Sequence, residues 1–410
     1  MKNKGIKIKR RRKSFYRKRK STGRKILEAV LIIIVIAALV FVGYSVAPPL
    51  IKFFSGDNGN SSTSEPAWTP PETTTSQTES VTTTTPPATT EKPEEKPQLL
   101  NGTTVTAPDT ALASTSALST YLESAKKSGY KTVMFHLKDD TGRLLYKSAV
   151  NTVKNNSTIV TGKLTAAQIV SLCKKVEITP VAVIDTLEDH LISTVVSEAG
   201  FRTADDWEWL DASPDKGGRP WATPYSTVTV TYLSDITKEL SSAGFEGIIL
   251  DGVKFPNFGN YDYSLLPKEL KESGRTEKLV ALVNKCSASA GKSHTAINID
   301  AAQLLTLNKA YYKGTAELWK NKDKLSSAGI VITLDVNTLG TTLAISDSEN
   351  LKVDKDISKA VTAVFTKVKK LAGNTEITVG VNGSEKLTAA QKKNVQDAFK
   401  KLGYENIVLM

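Results

Sequence analysis

Five short apolar runs in this chain close on an acid or an amide: Asp185, Asp251, Asp300, Asp335 and Asn382. A strand sends successive side chains to opposite faces, so residues two apart share a side. In the run 132–138 this puts Val133, Phe135 and Leu137 on one face and Met134, His136 and Lys138 on the other, with Asp140 following in the same phase. The same test turns Asp185, Asp251, Asn298 with Asp300, Thr333 with Asp335, and Asn382 to the polar side of their runs. Carboxylates and a lysine gathered in one place push each other's pKa values apart, so that one acid keeps its proton while its neighbour ionises. That division of labour is what general acid–base catalysis requires. Asp251 with Asp300 or Asp335 forms the expected catalytic set, and Lys138, Asp140, Asp185, Asn298 and Asn382 the expected substrate contacts. Asp and Asn also cap helices and open turns, and Asp139-Asp140 ahead of Thr141-Gly142 suits a plain turn. Glu246, five residues before Asp251 on the same run, falls at the opposite end of its strand and cannot partner it.

Such side chains converge only if their strands run parallel. Eight candidate strands are legible, at 132–138, 180–185, 207–210 (the weakest), 247–251, 295–300, 330–335, 377–382 and 407–410. Amphipathic helical stretches alternate with them, as at 227–243, where Tyr232, Leu233, Ile236 and Leu240 recur at helical spacing before Gly244. Strand alternating with helix over some 310 residues predicts an α/β fold, a (β/α)8 TIM-type barrel with its functional rim at the C-terminal ends of the strands. A helix at 116–128 is expected to precede the first strand and to fill the place left empty after the last. The segment Lys163-Leu164-Thr165-Ala166-Ala167-Gln168 recurs as Lys386-Leu387-Thr388-Ala389-Ala390-Gln391. Thr followed three residues later by Gln is a capping box, so both copies are read as helix starts and not as a duplicated half-barrel.

Charge is distributed very unevenly. The formal net charge is +12, yet 14 of the 54 Lys and Arg fall in the first 25 residues, which hold no acid, and the remainder of the chain is slightly acidic. Residues 29–51 carry no charge and, as a helix, reach about 35 Å, enough to cross a bilayer core. Basic residues on the N-terminal side keep that end in the cytoplasm and send the rest out of the cell. Pro48-Pro49 after Ser45-Val46-Ala47 is a poor cleavage context, so a retained anchor is expected. The basic arm is read as an orientation signal attracted to anionic lipid, not as a nucleic-acid site. The stretch 55–97 is rich in Thr, Ser, Pro and Glu and cannot build a core. The expected organisation is a basic cytoplasmic arm (1–25), a single transmembrane helix (26–51), a disordered linker (52–99) and an extracellular barrel (100–410).

The two cysteines, Cys173 and Cys286, fall on helices of non-adjacent barrel units, too far apart to bridge, and are expected to be free. His136, His190 and His294 lack metal-ligand spacing, and no phosphate loop or Ser-His-Asp arrangement stands out, so no metal or cofactor is expected. Trp207, Trp209, Trp221, Tyr225, Phe255, Phe258, Tyr261 and Tyr263 gather around the third and fourth units. Their flat faces suit sugar rings, and equally suit the private packing of a long rim loop.

Trp221-Ala222-Thr223-Pro224-Tyr225-Ser226, then Tyr232, Asp235-Ile236, Lys238-Glu239, Gly244-Phe245, Ile248, Asp251 and Phe255-Pro256, resemble the signature of a bacterial family of glycoside-hydrolase-like TIM barrels long catalogued as a domain of unknown function. Lys138-Asp139-Asp140-Thr141-Gly142-Arg143 with Tyr146 is similar to the family's first-strand motif, and Leu187-Glu188-Asp189 to its Phe-Lys-Asp after the second strand. The resemblance runs from about residue 101 to 410. It implies a polysaccharide or cell-wall glycan substrate and carboxylate chemistry, and adds Asp189, Trp221, Tyr225 and Lys254 to the expected substrate contacts. The chain departs from the pattern in carrying Lys254 where the family has Arg, and His136 where Asp is usual. It also lacks the family's Pro-Met-x-Tyr-Pro segment at the sixth strand and the closing Trp-Asn. These departures define a second reading, a barrel that binds or presents glycan without cleaving it.

Overall fold

The structure is a computed structural model that describes Leu100 and residues 102–267, 270, 274–326 and 328–410. The expected arm, membrane helix and linker lie outside the described residues. Within the described residues no helix is long and apolar enough to cross a membrane.

The chain runs β1 (Thr103–Thr106), α1 (Thr115–Lys127), β2 (Thr132–Lys138), α2 (Ala166–Lys175), β3 (Thr179–Asp185), a short α3 (Ile192–Val195), α4 (Thr227–Ala243), β4 (Gly247–Asp251), α5 (Asn260–Leu265), α6 (Arg275–Ser289), β5 (His294–Asp300), α7 (Ala301–Leu305) and β6 (Ala328–Asp335). A small hairpin of β7 (Thr342–Ala344) and β8 (Asn350–Lys352) follows, then α8 (Ile357–Ala372), β9 (Thr378–Asn382), α9 (Ala389–Lys401) and β10 (Ile407–Leu409). Eight of these strands close into one parallel barrel in the order β1-β10-β9-β6-β5-β4-β3-β2. The expected fold is therefore present, with one strand exchanged. Residues 207–210 belong to a loop, joined only by an isolated bridge between Arg202 and Glu208, and β1 takes the vacant place. The helix over 115–127 consequently lies between β1 and β2 and is an ordinary member of the outer ring, not a leading helix that fills a gap.

Period two holds along the barrel. Val133, Phe135, Leu137, Ile248, Leu250, Ile297, Ile299, Ile332 and Leu334 join the large apolar layer beneath the helices. Met134, Val181, Val183, Ile249, Ala296, Val331, Val408 and Met410 form a separate plug inside the barrel. Each such side chain contributes roughly 1.5–3 kcal/mol by leaving water. The plug fills the lower lumen, so only the C-terminal layer is left for polar groups. Both capping boxes form: Thr165 and Gln168 start α2, and Thr388 and Gln391 start α9. Cys173 on α2 and Cys286 on α6 are free and buried, and burial pushes both thiols up to about 12.

Candidate active site at the barrel mouth

The strand register sets the ring of polar groups. Asp185 at the end of β3 pairs directly with Asp251 at the end of β4, which places their Cα atoms about 5 Å apart, the spacing of neighbouring strands. Gly252 makes this proximity possible. Its φ is +61°, and a Cβ there would come within 2.9 Å of Asp185 Oδ1. The Gly252 N–H donates to Asp251 Oδ1 at 2.8 Å, and the Asn298 amide donates to the same oxygen at 3.2 Å. Burial first, then the negative charge of Asp251, hold the Asp185 carboxyl well above the usual range; Lys138 works against this, and Asp140 and Glu188 add to it. Asp185 therefore holds its proton to higher pH than an ordinary carboxyl does.

Asp300 ends β5 and caps α7, its Oδ1 accepting the Gln303 N–H at 2.7 Å, while its own N–H donates to Thr315 Oγ1 at 2.9 Å. Burial raises its carboxyl to about 6. The hydrogen bond from Gln303 lowers it in part, and the charges of Asp335 and Asp251 raise it again. Asp335 ends β6 in register with Asn382 on β9 and accepts the Asn337 N–H at 2.7 Å. Asp335, Asn382 and His136 line a cavity of about 840 Å3 on the β1/β10/β9 side of the mouth, together with Tyr121, Asn337 and Lys386. On the other side, Trp221, Lys254, Glu188, His190 and Tyr312 line a groove of about 570 Å3.

Not every expected contact faces this space. Lys138 is fully buried and pairs with Asp189 at 3.0 Å, Asp189 being equally enclosed. Asp189 Oδ1 also accepts the N–H groups of Leu191 and Ile192 at 2.9 and 2.8 Å. Both residues are therefore parts of the frame and are not exposed to a ligand, contrary to the sequence expectation. The bulge between His136 and Lys138 lets the lysine turn into the frame. Asp140 is exposed in the rim turn, in which Asp139 Oδ1 accepts N–H groups from Thr141 and Arg143. Tyr225 packs against Phe255 and under the Lys278 ammonium. Most of the remaining aromatics are the private core of the rim loop: Phe201, Trp209, Phe255 and Phe258 are buried and packed edge to face or tilted. Trp221 is nearly buried, donates its indole N–H to Asp211 at 3.1 Å, and lies under Lys254.

Sequence reasoning missed Glu188. Its carboxylate meets the Lys254 ammonium at 2.7 Å. Burial alone would lower the lysine's pKa, but the charge and hydrogen bond of Glu188 outweigh it and hold the ammonium above its ordinary value. The signal was available, since Glu188 lies three residues beyond Asp185 and one before Asp189 in the motif that carried the resemblance.

A closed parallel (β/α)8 barrel that gathers carboxyl and amide groups at its C-terminal mouth is the class of protein that this fold defines. The family model described as "Putative glycosyl hydrolase domain" matches residues 105–313, just over half of the chain, and the protein belongs to that family. Among solved structures, the chain is similar to the catalytic domain of β-amylase from Paenibacillus polymyxa (11% identity, TM-score 0.46, covering 75% of this chain and 92% of that one). It is also similar to a GH20 exo β-N-acetylglucosaminidase from Vibrio harveyi (11%, 0.43, 70% and 42%) and to a hypothetical protein from Ruminiclostridium thermocellum (18%, 0.40, 47% and 96%). Among curated proteins, none matches.

Proposed function

We propose that the barrel hydrolyses the glycosidic bonds of a polysaccharide or cell-wall glycan, with Asp300 as the general acid and Asp251 as the nucleophile or base. The observation that carries this reading is the placement of Asp251 and Asp300 at the ends of two paired strands on one rim, where burial raises the Asp300 carboxyl to about 6. An acid whose pKa lies near the working pH can both hold a proton and give it up to a leaving oxygen. Asp185, whose carboxyl is raised by burial and by the Asp251 charge, stands beside Asp251 as a further acid at the point where charge changes. Asp335 and Asn382, in the larger cavity, and Trp221 and Lys254, in the groove opposite, are sugar contacts on the two sides of the bond.

Asp300→Asn is the test, because it separates chemistry from folding. The unfolded chain ionises this group from about 3.8, whereas the folded chain holds the proton to about 6. The charged form is therefore disfavoured by folding. The penalty is absent below about 4, grows as pH rises to 6 and is complete above it. Asparagine keeps the cap on α7 and removes the penalty. The variant should gain about 1–3 kcal/mol at pH 7, with no gain at pH 3.5, while reducing-sugar release from its substrate falls by at least about 100-fold. In the wild type, kcat should decline above about pH 6. A variant that hydrolyses glycan as well as the wild type removes Asp300 from the chemistry.

The same reading tethers the barrel outside the cell through the uncharged segment 29–51, with the Thr/Ser/Pro-rich stretch as its spacer. Cells expressing the full chain should carry it in the membrane fraction, exposed to added protease, and deletion of residues 1–51 should release it. Recovery of the intact chain in the soluble fraction would sink this proposal.

A further inference from the structure

The larger cavity at the mouth does not stop at the rim. From Asp335, Asn382 and His136 it passes over the end of β1 and continues between α1 and α9, where Tyr121, Ser128, Tyr130 and Lys392 line it. A second hollow of about 490 Å3 shares Ser128, Tyr130 and Lys392 with it and reaches Gly102 at the foot of β1 and Lys400 on α9. The two form one groove on the outside of the barrel, running from the mouth to the base. Its charge is divided along its length. The acids that line it, Asp109, Asp335 and Glu385, all belong to the upper part, where the Lys386 ammonium bonds to Asn337 Oδ1 at 2.9 Å. The lower hollow is lined by Lys131, Lys392, Lys393 and Lys400 and by no acid.

Lys392 and Lys400 stand about two turns apart on α9, some eight residues and about 12 Å along its axis, with Lys393 beside the first. Among the described residues none of the four lysines makes an ion pair, whereas Lys126 meets Glu177 and Lys367 meets Glu349. The chain beyond its basic arm is slightly acidic, so this is a local concentration of charge and not a share of a general excess. We propose that the groove binds a strand of polysaccharide bearing negative charge on its repeating units, held along α9 while the adjoining stretch lies at the mouth. The proposal deepens the hydrolase reading, on which it rests for the identity of the strand, by naming an anionic glycan as the substrate class. A channel walled by two helices admits a single chain and concentrates the field of its lysines on it. A planar lipid surface would instead need those lysines on a ridge.

The test is acetylation of the full-length chain in neutral detergent, each lysine being read by mass spectrometry with and without ligand. The probes are oligogalacturonate, with a carboxylate on every sugar, a phosphomannan oligosaccharide with phosphodiesters, and cellohexaose as the neutral control. At least one anionic probe should slow modification of Lys131, Lys392, Lys393 and Lys400 and leave Lys147, Lys285 and Lys292, exposed elsewhere, unchanged. Which of the two protects names the charged group, and added salt should weaken the protection. The triple variant Lys392→Gln, Lys393→Gln, Lys400→Gln should need about tenfold more ligand to protect Lys131. Lys147→Gln, Lys285→Gln, Lys292→Gln, which removes the same charge elsewhere, should behave as wild type. Protection spread evenly over all lysines, protection by neither anionic probe, or equal protection by cellohexaose overturns the proposal. Protection by phosphatidylglycerol vesicles and by neither oligosaccharide also overturns it, in favour of a membrane surface. Protection by a glycan that the protein does not cleave upholds the groove and counts against the hydrolase reading. Cleavage of a dilute anionic glycan at the wild-type rate by the groove variant does the reverse. The wild-type footprint decides the matter even where a variant fails to fold.

Discussion

Asp251→Asn should abolish glycan hydrolysis, lowering kcat by at least about 1,000-fold while leaving the barrel folded. The side chain sits at the last position of β4, where two N–H groups, from Gly252 and Asn298, converge on its Oδ1. An asparagine carbonyl can accept both, so the frame around the position survives. What is lost is the second oxygen, which has no partner among the described residues and is the atom available to attack an anomeric carbon or to activate water. Removing the charge also releases Asp185 from one of the causes that hold its proton, so its carboxyl should ionise at lower pH in the variant. Circular dichroism and thermal melting would establish the fold, and initial rates of reducing-sugar release the loss. Residual turnover within tenfold of wild type would exclude Asp251 as nucleophile or base.

Lys138→Met should destabilise the domain by about 3–5 kcal/mol, enough to remove much of the stability of an ordinary domain. The lysine is buried at the end of β2 and its ammonium meets Asp189 at 3.0 Å. Deleting the cation leaves a carboxylate enclosed without a counter-charge, and that uncompensated charge, more than the lost attraction, sets the cost. Asp189 cannot move to water. Its other oxygen holds the first turn of α3 through Leu191 and Ile192, and Gly142 covers it closely. Gly142 has φ +97°, and a Cβ there would lie 2.1 Å from Asp189 Oδ1. The double variant Lys138→Met with Asp189→Asn should recover a large part of the loss, since it removes both charges. Urea denaturation of the single and double variants measures this. A single variant as stable as wild type would mean that the pair is not closed from solvent.

The ring of polar groups was legible because it follows from one geometric rule. Alternation along a strand separates Phe135 and Leu137 from Met134 and His136, and the same parity carries Asp185, Asp251, Asp300, Asp335 and Asn382 to one rim. Depth along the lumen was less accessible. Lys138 shares that parity, but the bulge after His136 swings it into the frame, and a bulge leaves no mark in the pattern of apolar residues. Thr103–Thr106 has a single apolar residue, too few for a strand to be read, whereas Trp207 to Leu210 offered two tryptophans and a leucine that serve a loop. Asn298 was expected to face inward, and its amide bonds to Thr333 and Asp251, on the two flanking strands. A side chain's direction can be read from its own neighbours in sequence, while its partner depends on register between segments distant in the chain.

The buried, unpaired state of Cys173 and Cys286 has a consequence for how the domain matures. No covalent cross-link has to be made, shuffled or protected, so the folding chain depends on neither an oxidant nor an isomerase. With both thiols raised to about 12, almost none is present as the reactive thiolate at neutral pH. Folding of the domain is accordingly independent of the thiol–disulfide balance of its surroundings.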